Sequence, residues 1–213
     1  MRRVAQEFGT GPATLYAHVA NKEELLDLVM DRVARQVEVP EADPARWQEQ
    51  VKEFARSMYG QLVDHGDVAR LSIANNPTGP ASAMVSDRLL AILLAGGLSR
   101  QHAAWAIDRL MLQVCADAHE TAVYRSRRRR SGLPLEEFVE REMGRVRDYM
   151  TSLPAERFPH IAANLDVMFE GDGDQRFEFG LDIFVRGLVS LVPGERGGQP
   201  ARRPPRAPRR IRK

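Results

Sequence analysis

Apolar residues recur along this chain at intervals of three and four, the spacing that lines one face of an α-helix, and no stretch alternates in the two-residue rhythm of a strand. After Pro40 and an Asp43-Pro44 start, residues 45–63 carry Trp47, Val51, Phe54, Met58 and Leu62 in this way and predict an amphipathic helix. Asp67–Ala74 reads as a short helix ended by Asn75-Asn76-Pro77. Pro80 stands in the first turn of the next, whose stripe of Met84, Leu89, Leu93 and Leu94 stops at Gly96-Gly97. Ser99 then caps a long helix along which Ile107, Leu110, Met111, Val114, Cys115, Ala118 and Ala122 keep the period for several turns. An exposed-looking helix over 135–153, a turn at Phe158-Pro159, a segment over 161–169, a Gly-Asp loop and a last helix over 175–192 complete the pattern. The fold class this predicts is all-α.

The last helix has more apolar surface than one core contact uses. Phe177, Leu181, Phe184, Val185 and Leu188 form one stripe, while Phe179, Ile183 and Val189 lie on other sides, implying a second burial surface. Gly180 and Gly187, two turns apart, would admit another backbone at some cost in helix propensity. Pairing of this helix across a two-fold axis, giving a homodimer, uses both features.

The first residues follow a different design. Val4 and Phe8 sit one turn apart and offer an apolar stripe for packing; Gly9 ends that helix, and Gly11-Pro12 starts another over 12–18. In this second helix Leu15 and Val19 face inward while Ala13, Thr14, Tyr16, Ala17 and His18 project outward, and it is too short to be stable alone. Asn21 followed three residues later by Glu24 is a capping-box arrangement that opens a third helix at Lys22, running to about Val37. Two helices around a tight turn are the pattern of a helix-turn-helix DNA reader.

Through the run VAQEFGTGPATLYAHVANKEELLD, and above all Leu15-Tyr16-x-His18-Val19-x-Asn21-Lys22, the chain resembles the tetracycline-repressor (TetR) family of bacterial one-component regulators. The resemblance implies that the short helix enters the major groove of operator DNA as part of a dimer, with Thr14, Tyr16, Ala17 and His18 at the DNA surface, and with Lys22 and Tyr16 holding phosphates. Arg2 matches a basic position that reaches the backbone or a guanine edge. Thr10, Pro12 and Ala13 complete the implied DNA-binding set, Pro12 and Ala13 at positions whose residue types vary, so base specificity does not carry over. Family members have a further helix before these, whereas Met1 falls within what should be the second; the expectation is a truncated three-helix unit in which Val4, Phe8 and Leu15 lose cover. Either the start codon lies upstream or the DNA domain is impaired, and the alternative reading is a ligand-binding helical dimer that no longer reads DNA.

The resemblance continues through Trp47-Gln48, His65, Asn75-Asn76-Pro77 and Phe177-Glu178-Phe179-Gly180-Leu181, and so spans nearly all of residues 1–192. It implies a helical ligand-binding and dimerisation domain over 39–193 behind a DNA-binding domain over 1–38, with a pocket in each subunit and a four-helix bundle made from the long helix and the last one. A small-molecule effector would lower operator affinity by moving the reading heads. Tetracycline-binding members use a His in the helix after His65, where Asp67–Ala74 offers Ser72 and no His, so a metal-chelated tetracycline is not the expected effector. Periodicity and chain placement nominate Phe54, Met58, Ser72, Asn76, Met84, Trp105, Met111, Cys115 and His119 as pocket residues, although the apolar members more often fill a plain core, and Asn76 and His119 are the better candidates. The implied effector is mostly apolar.

Composition narrows the picture further. No run approaches a membrane span and no leader precedes the first helix, which fits a cytoplasmic chain; Cys115 is the lone cysteine, so no internal disulfide forms. His119-Glu120 lacks the second His of a zinc-protease helix, Glu170-Gly-Asp172-Gly-Asp174 lacks the spacing of a calcium loop, and no nucleophile elbow or phosphate cradle appears; neither an enzyme nor a metal or cofactor is expected. Of the formal net charge of +2, eight basic and no acidic residues fall in the last eighteen, leaving residues 1–195 net acidic. That Pro- and Arg-rich tail, 194–213, is expected to be disordered, either adding non-specific affinity for DNA phosphates or aiding solubility. Arg125 and residues 127–130 form a second basic cluster, explained by a solvated helix end whose dipole favours cations.

Overall fold

A computed structural model describes residues 1–74 and 78–194 of the chain. Among these residues the regular elements are helices: α1 (Arg2–Glu7), α2 (Pro12–Tyr16), α3 (Lys22–Ala34), α4 (Trp47–Asp64), α5 (Asp67–Ala74), α6 (Pro80–Ala95), α7 (Arg100–Ser131), α8 (Leu135–Thr151), α9 (Pro159–Met168) and α10 (Gly173–Val189). Asn76 and the tail from residue 195 lie outside the described residues.

The long helix α7 is the post around which the larger part is built. Its inward stripe of Ala103, Ala106, Leu110, Val114, Cys115 and Ala118 alternates small and branched side chains, and α4, α5, α6 and α10 all pack against it. From α4 come Trp47, Val51, Phe54, Ala55, Met58 and Leu62, from α6 Val85, Leu89, Ile92 and Leu93, and from α10 Phe177, Leu181, Val185 and Leu188, joined into one buried cluster. Tyr59 stacks on Phe177 with ring centroids 4.2 Å apart, and outside the apolar seam Arg56 pairs with Glu178 at 2.7 Å while Lys52 pairs with Asp182. Helices α8 and α9 pack on each other and contribute Phe138 alone to the buried set.

Several boundaries differ from those the spacing predicts, each for a local reason. Asp172 caps α10: its side chain accepts the Gln175 amide at 2.8 Å and the Gln175 side chain accepts the Asp172 amide at 3.0 Å, so the helix begins at Gly173 rather than at 175. At the start of α3 only half of the expected box forms: Asn21 accepts the Glu24 amide at 2.8 Å, but the Glu24 carboxylate takes the amide of Ala20. Among the described residues no other backbone comes close at Gly180 or Gly187: a Cβ at Gly180 would lie 2.5 Å from the side-chain Nε2 of Gln113 on α7, while at Gly187 the space is open.

Helix α3 joins the two parts of the molecule. Met30, Val33 and Ala34 belong to the main core, and α3 packs on α4, α5 and α6. Between these apolar contacts sits Asp31, 2% exposed, whose Oδ1 accepts the amides of Ala81 at 2.7 Å and Ser82 at 3.1 Å in the first turn of α6, and whose Oδ2 meets Arg35 at 2.8 Å. Burial alone pushes this carboxyl up; the Ser82 amide, Arg35 and the Ala81 amide together outweigh it and hold Asp31 below the ordinary aspartate value.

Two stability predictions follow from this packing. Leu110 has no exposed surface, and Leu110→Ala is expected to lower unfolding free energy by about 2–5 kcal/mol, read from urea denaturation. Because the folded Asp31 carboxyl titrates below its unfolded counterpart, its contribution is complete above the ordinary aspartate range and is lost as pH falls through the folded value. Urea midpoints taken at about pH 5 and about pH 3 should therefore drop further for the parent than for Asp31→Asn; equal drops would contradict this.

Candidate functional site

At the N-terminal end the sequence builds a small reading head. Gly9 adopts φ +61°, a left-handed turn that side-chain-bearing residues resist, and the Thr10 amide closes it on the carbonyl of Ala5 at 2.9 Å. Gly11 is extended, and Pro12 opens α2 where no amide is needed. Helix α2 stops at Tyr16, short of the expected 12–18. Ala17 and His18 follow in a turn, with the amides of His18 and Val19 donating to the Leu15 carbonyl at 3.0 and 3.1 Å. Ala5 is fully buried and Val19 nearly so, and Leu15 is half-buried.

Nine residues were expected at the DNA surface. Arg2, Pro12, Ala13, Thr14, Tyr16, Ala17, His18 and Lys22 are exposed, Tyr16 at 51%, and Thr10 is half-buried. The turn and α2 bring seven of them, Pro12 to His18 with Thr10, onto one short stretch of chain; Lys22 opens α3 beside it and Arg2 opens α1. The Val4–Phe8 stripe shows the expected loss of cover: Val4 is half-buried, and Phe8, the C-cap residue of α1, stands 75% exposed although its amide still donates to the Val4 carbonyl at 3.3 Å. Among the described helices α1 and α2 pack on each other alone.

The nine pocket candidates separate. Phe54, Met58 and Cys115 lie in the main core, with Met111 packed against it. Ser72 is half-buried and returns its hydroxyl to the Val68 carbonyl at 3.0 Å; His119 is half-buried, with Nδ1 buried and without a hydrogen-bond partner among the described residues. Met84 and Trp105 stand apart, 54% and 57% exposed. Each sits one residue from its helix's inward stripe, Met84 beside Val85 and Trp105 beside Ala106, and one residue is a turn of about 100° around the helix. Asn76 lies outside the described residues. Tyr59 was not nominated by the spacing, yet its hydroxyl meets Thr121 of α7 at 2.8 Å inside the α4–α7 seam; a polar tip on an otherwise apolar helix face was the available signal.

Burial pushes the Cys115 thiol up to about 11, so it stays protonated near neutral pH and acts as a small apolar filler. Among the described residues no group of three or more His, Cys, Asp or Glu is placed to hold a metal ion, and no helix is long and apolar enough to cross a membrane. An open surface cleft of about 570 Å³ lies between α7 and α8, lined by Arg127, Arg130, Ser131, Arg141, Glu142 and Arg145.

The pattern of tetracyclin repressor-like proteins, C-terminal domain, matches residues 39–192. The chain belongs to the tetracycline-repressor family. It is similar to the helix-turn-helix-type transcriptional repressor DrrR1 of Streptomyces coeruleorubidus, 30% identical over 198 residues that make up 92% of this chain and 72% of that protein. The class D tetracycline repressor protein of Escherichia coli is 27% identical over 206 residues, covering 92% and 85% of the two chains. Among solved structures, the TetR family protein ActR of Streptomyces coelicolor in complex with actinorhodin superposes with a TM-score of 0.76 at 42% identity, covering 89% of this chain and 86% of that one. Apo ActR gives 0.75 at the same identity and coverage.

In this family member Cys115 is expected to resist thiol reagents. Labelling by a disulfide reagent at about pH 8 should run at least about tenfold slower in the native protein than in urea; equal rates would show that the thiol is accessible and that its place in the core is wrong.

Proposed function

We propose that this chain is a ligand-responsive transcriptional repressor that binds an inverted-repeat operator as a homodimer through α2 and its flanking turn, and leaves it when a mostly apolar small molecule enters the helical domain. The observation that carries the reading is the exposed run from Pro12 to His18, held out on a turn by Ala5 and Val19 with Lys22 beside it. An outward short helix, a hydroxyl-bearing aromatic and a lysine suit insertion in a major groove with phosphate contacts on its rim.

A dimer is supported by α10, where Phe179 and Ile183 stand 67% and 57% exposed on the face away from the core, and by Trp105 on α7. Two reading heads related by a two-fold axis match two half-sites. For the effector, the ActR structures hold actinorhodin in one case and (S)-DNPA in another, and similarity to ActR favours a related size and character here. Phe54, Met58, Met111 and Cys115 make the packing between α4 and α7 apolar, the surroundings a mostly apolar effector would need on entering there, and we count His119, Ser72 and Asn76 as the polar groups that would orient it. Ser72 in place of a metal-holding His argues against a magnesium–tetracycline complex.

The test is selection of binding sites from a random duplex library, followed by mobility shifts. The reading expects an enriched inverted repeat, and at least about tenfold weaker binding by Tyr16→Ala and by Lys22→Ala, with the Lys22 variant showing the shallower salt dependence. Absence of enrichment at low salt, or both variants binding as the parent does, overturns it.

A further inference from the structure

Helix α6 begins without a cap of its own. Its N-cap residue is Gly79, which has no side chain to offer, and Pro80 at the first position has no amide, so the free amides to be satisfied are those of Ala81 and Ser82. Both are taken by Asp31, fifty residues away on α3. The fit is close: a Cβ on Gly79 would lie 2.1 Å from Oδ1 of Asp31, so the carboxylate occupies the space that any other residue at 79 would fill. One turn earlier on α3, the Thr78 hydroxyl lies 3.4 Å from Asp27.

We propose that Asp31, seated on Gly79 and Pro80, is a positioning residue that sets the angle of the reading head on the regulatory domain. Helices α1 and α2 pack on each other alone among the described helices, so the head is tied to the rest of the chain through the turn before α3, where Asn21 accepts the Glu24 amide at 2.8 Å and the Glu24 carboxylate takes the amide of Ala20; a short turn held in this way passes the orientation of α3 to the head. The apolar contacts of α3, made by Met30, Val33 and Ala34, resist separation but tolerate sliding, because they are non-directional. The Asp31 contact is directional. Moving the start of α6 by more than the tolerance of a hydrogen bond removes two amides from one carboxylate together and leaves a buried charge facing Arg35 alone. Intermediate positions are therefore disfavoured and the contact has two states, seated or released. That this angle governs operator binding rests on the proposed function; that Asp31 fixes it does not.

The experiment measures the angle without DNA or effector. Spin labels at Ala17→Cys and Ala91→Cys, both exposed positions, are placed in a Cys115→Ser background of the full chain, diluted with unlabelled protein, and the distance distribution is recorded. The parent should give one narrow peak. Asp31→Ala, which removes the acceptor, and Gly79→Ala, which displaces it, should both lose that peak to a broad distribution, while Asp31→Asn, which keeps an oxygen for the two amides, retains it. Val114→Ala serves as a core variant destabilised without touching the junction, and should keep the narrow peak. A narrow parental peak in both Asp31→Ala and Gly79→Ala, or equal broadening in Val114→Ala, overturns the proposal. Because no step involves DNA, failure of operator binding would be seen separately from failure of this junction.

Discussion

One helix has to belong to two packing units at once. Helix α3 continues from the turn that carries the reading head and sends Met30, Val33 and Ala34 into the core of the larger domain. Thirteen residues, little more than three turns, give it few positions for both duties. The consequence is a division by chemistry: apolar side chains hold α3 against α4, α5 and α6, and one buried carboxylate fixes where along α6 it sits. Apolar burial supplies adhesion without direction, whereas a charge-assisted set of hydrogen bonds supplies direction at the cost of stripping water from a carboxylate. A regulator whose head must be held in one orientation needs the second kind of contact as well as the first.

The larger domain shows the same economy around α7. Alanines at 103, 106 and 118 let neighbouring helices come close, and the branched side chains of Leu110 and Val114 fill the spaces between them. Some apolar side chains of these helices face outward instead, among them Trp105 on α7 and Phe179 and Ile183 on α10. These residues do not add to the core of a single chain, and they share the helices that family resemblance assigns to pairing.

Much of this was legible in the sequence because the signals were local. Pro80–Ala95 ends where Gly96 says it should, and Ser99 caps α7 by accepting the His102 amide at 3.2 Å. The outward and inward sides of α2 and the turn after it were readable because Leu15 and Val19 are the large aliphatic residues of that stretch. Other features depend on partners distant in the chain. Asp31 reads as a solvated helix residue until α6 arrives with two bare amides, and nothing in the spacing shows that the Gln113 side chain lies beside Gly180. Met84 and Trp105 show a further limit. A stripe read at spacings of three and four has a width of about 100°, and residues at its margin turn inward or outward according to neighbours that the pattern does not name. Phe8 stands 75% exposed, the loss of cover that the sequence led us to expect of it.

On the proposed function the duplex is met by the short outward helix rather than by another basic surface among the described residues, the arginine-lined cleft between α7 and α8. Hydrogen exchange of the full chain, with and without a duplex bearing its selected site, compares the two surfaces directly. The account predicts added protection over residues 10–22 with exchange on α7 and α8 near Arg127 and Arg141 unchanged. Protection at that cleft with the 10–22 stretch unaltered would contradict it.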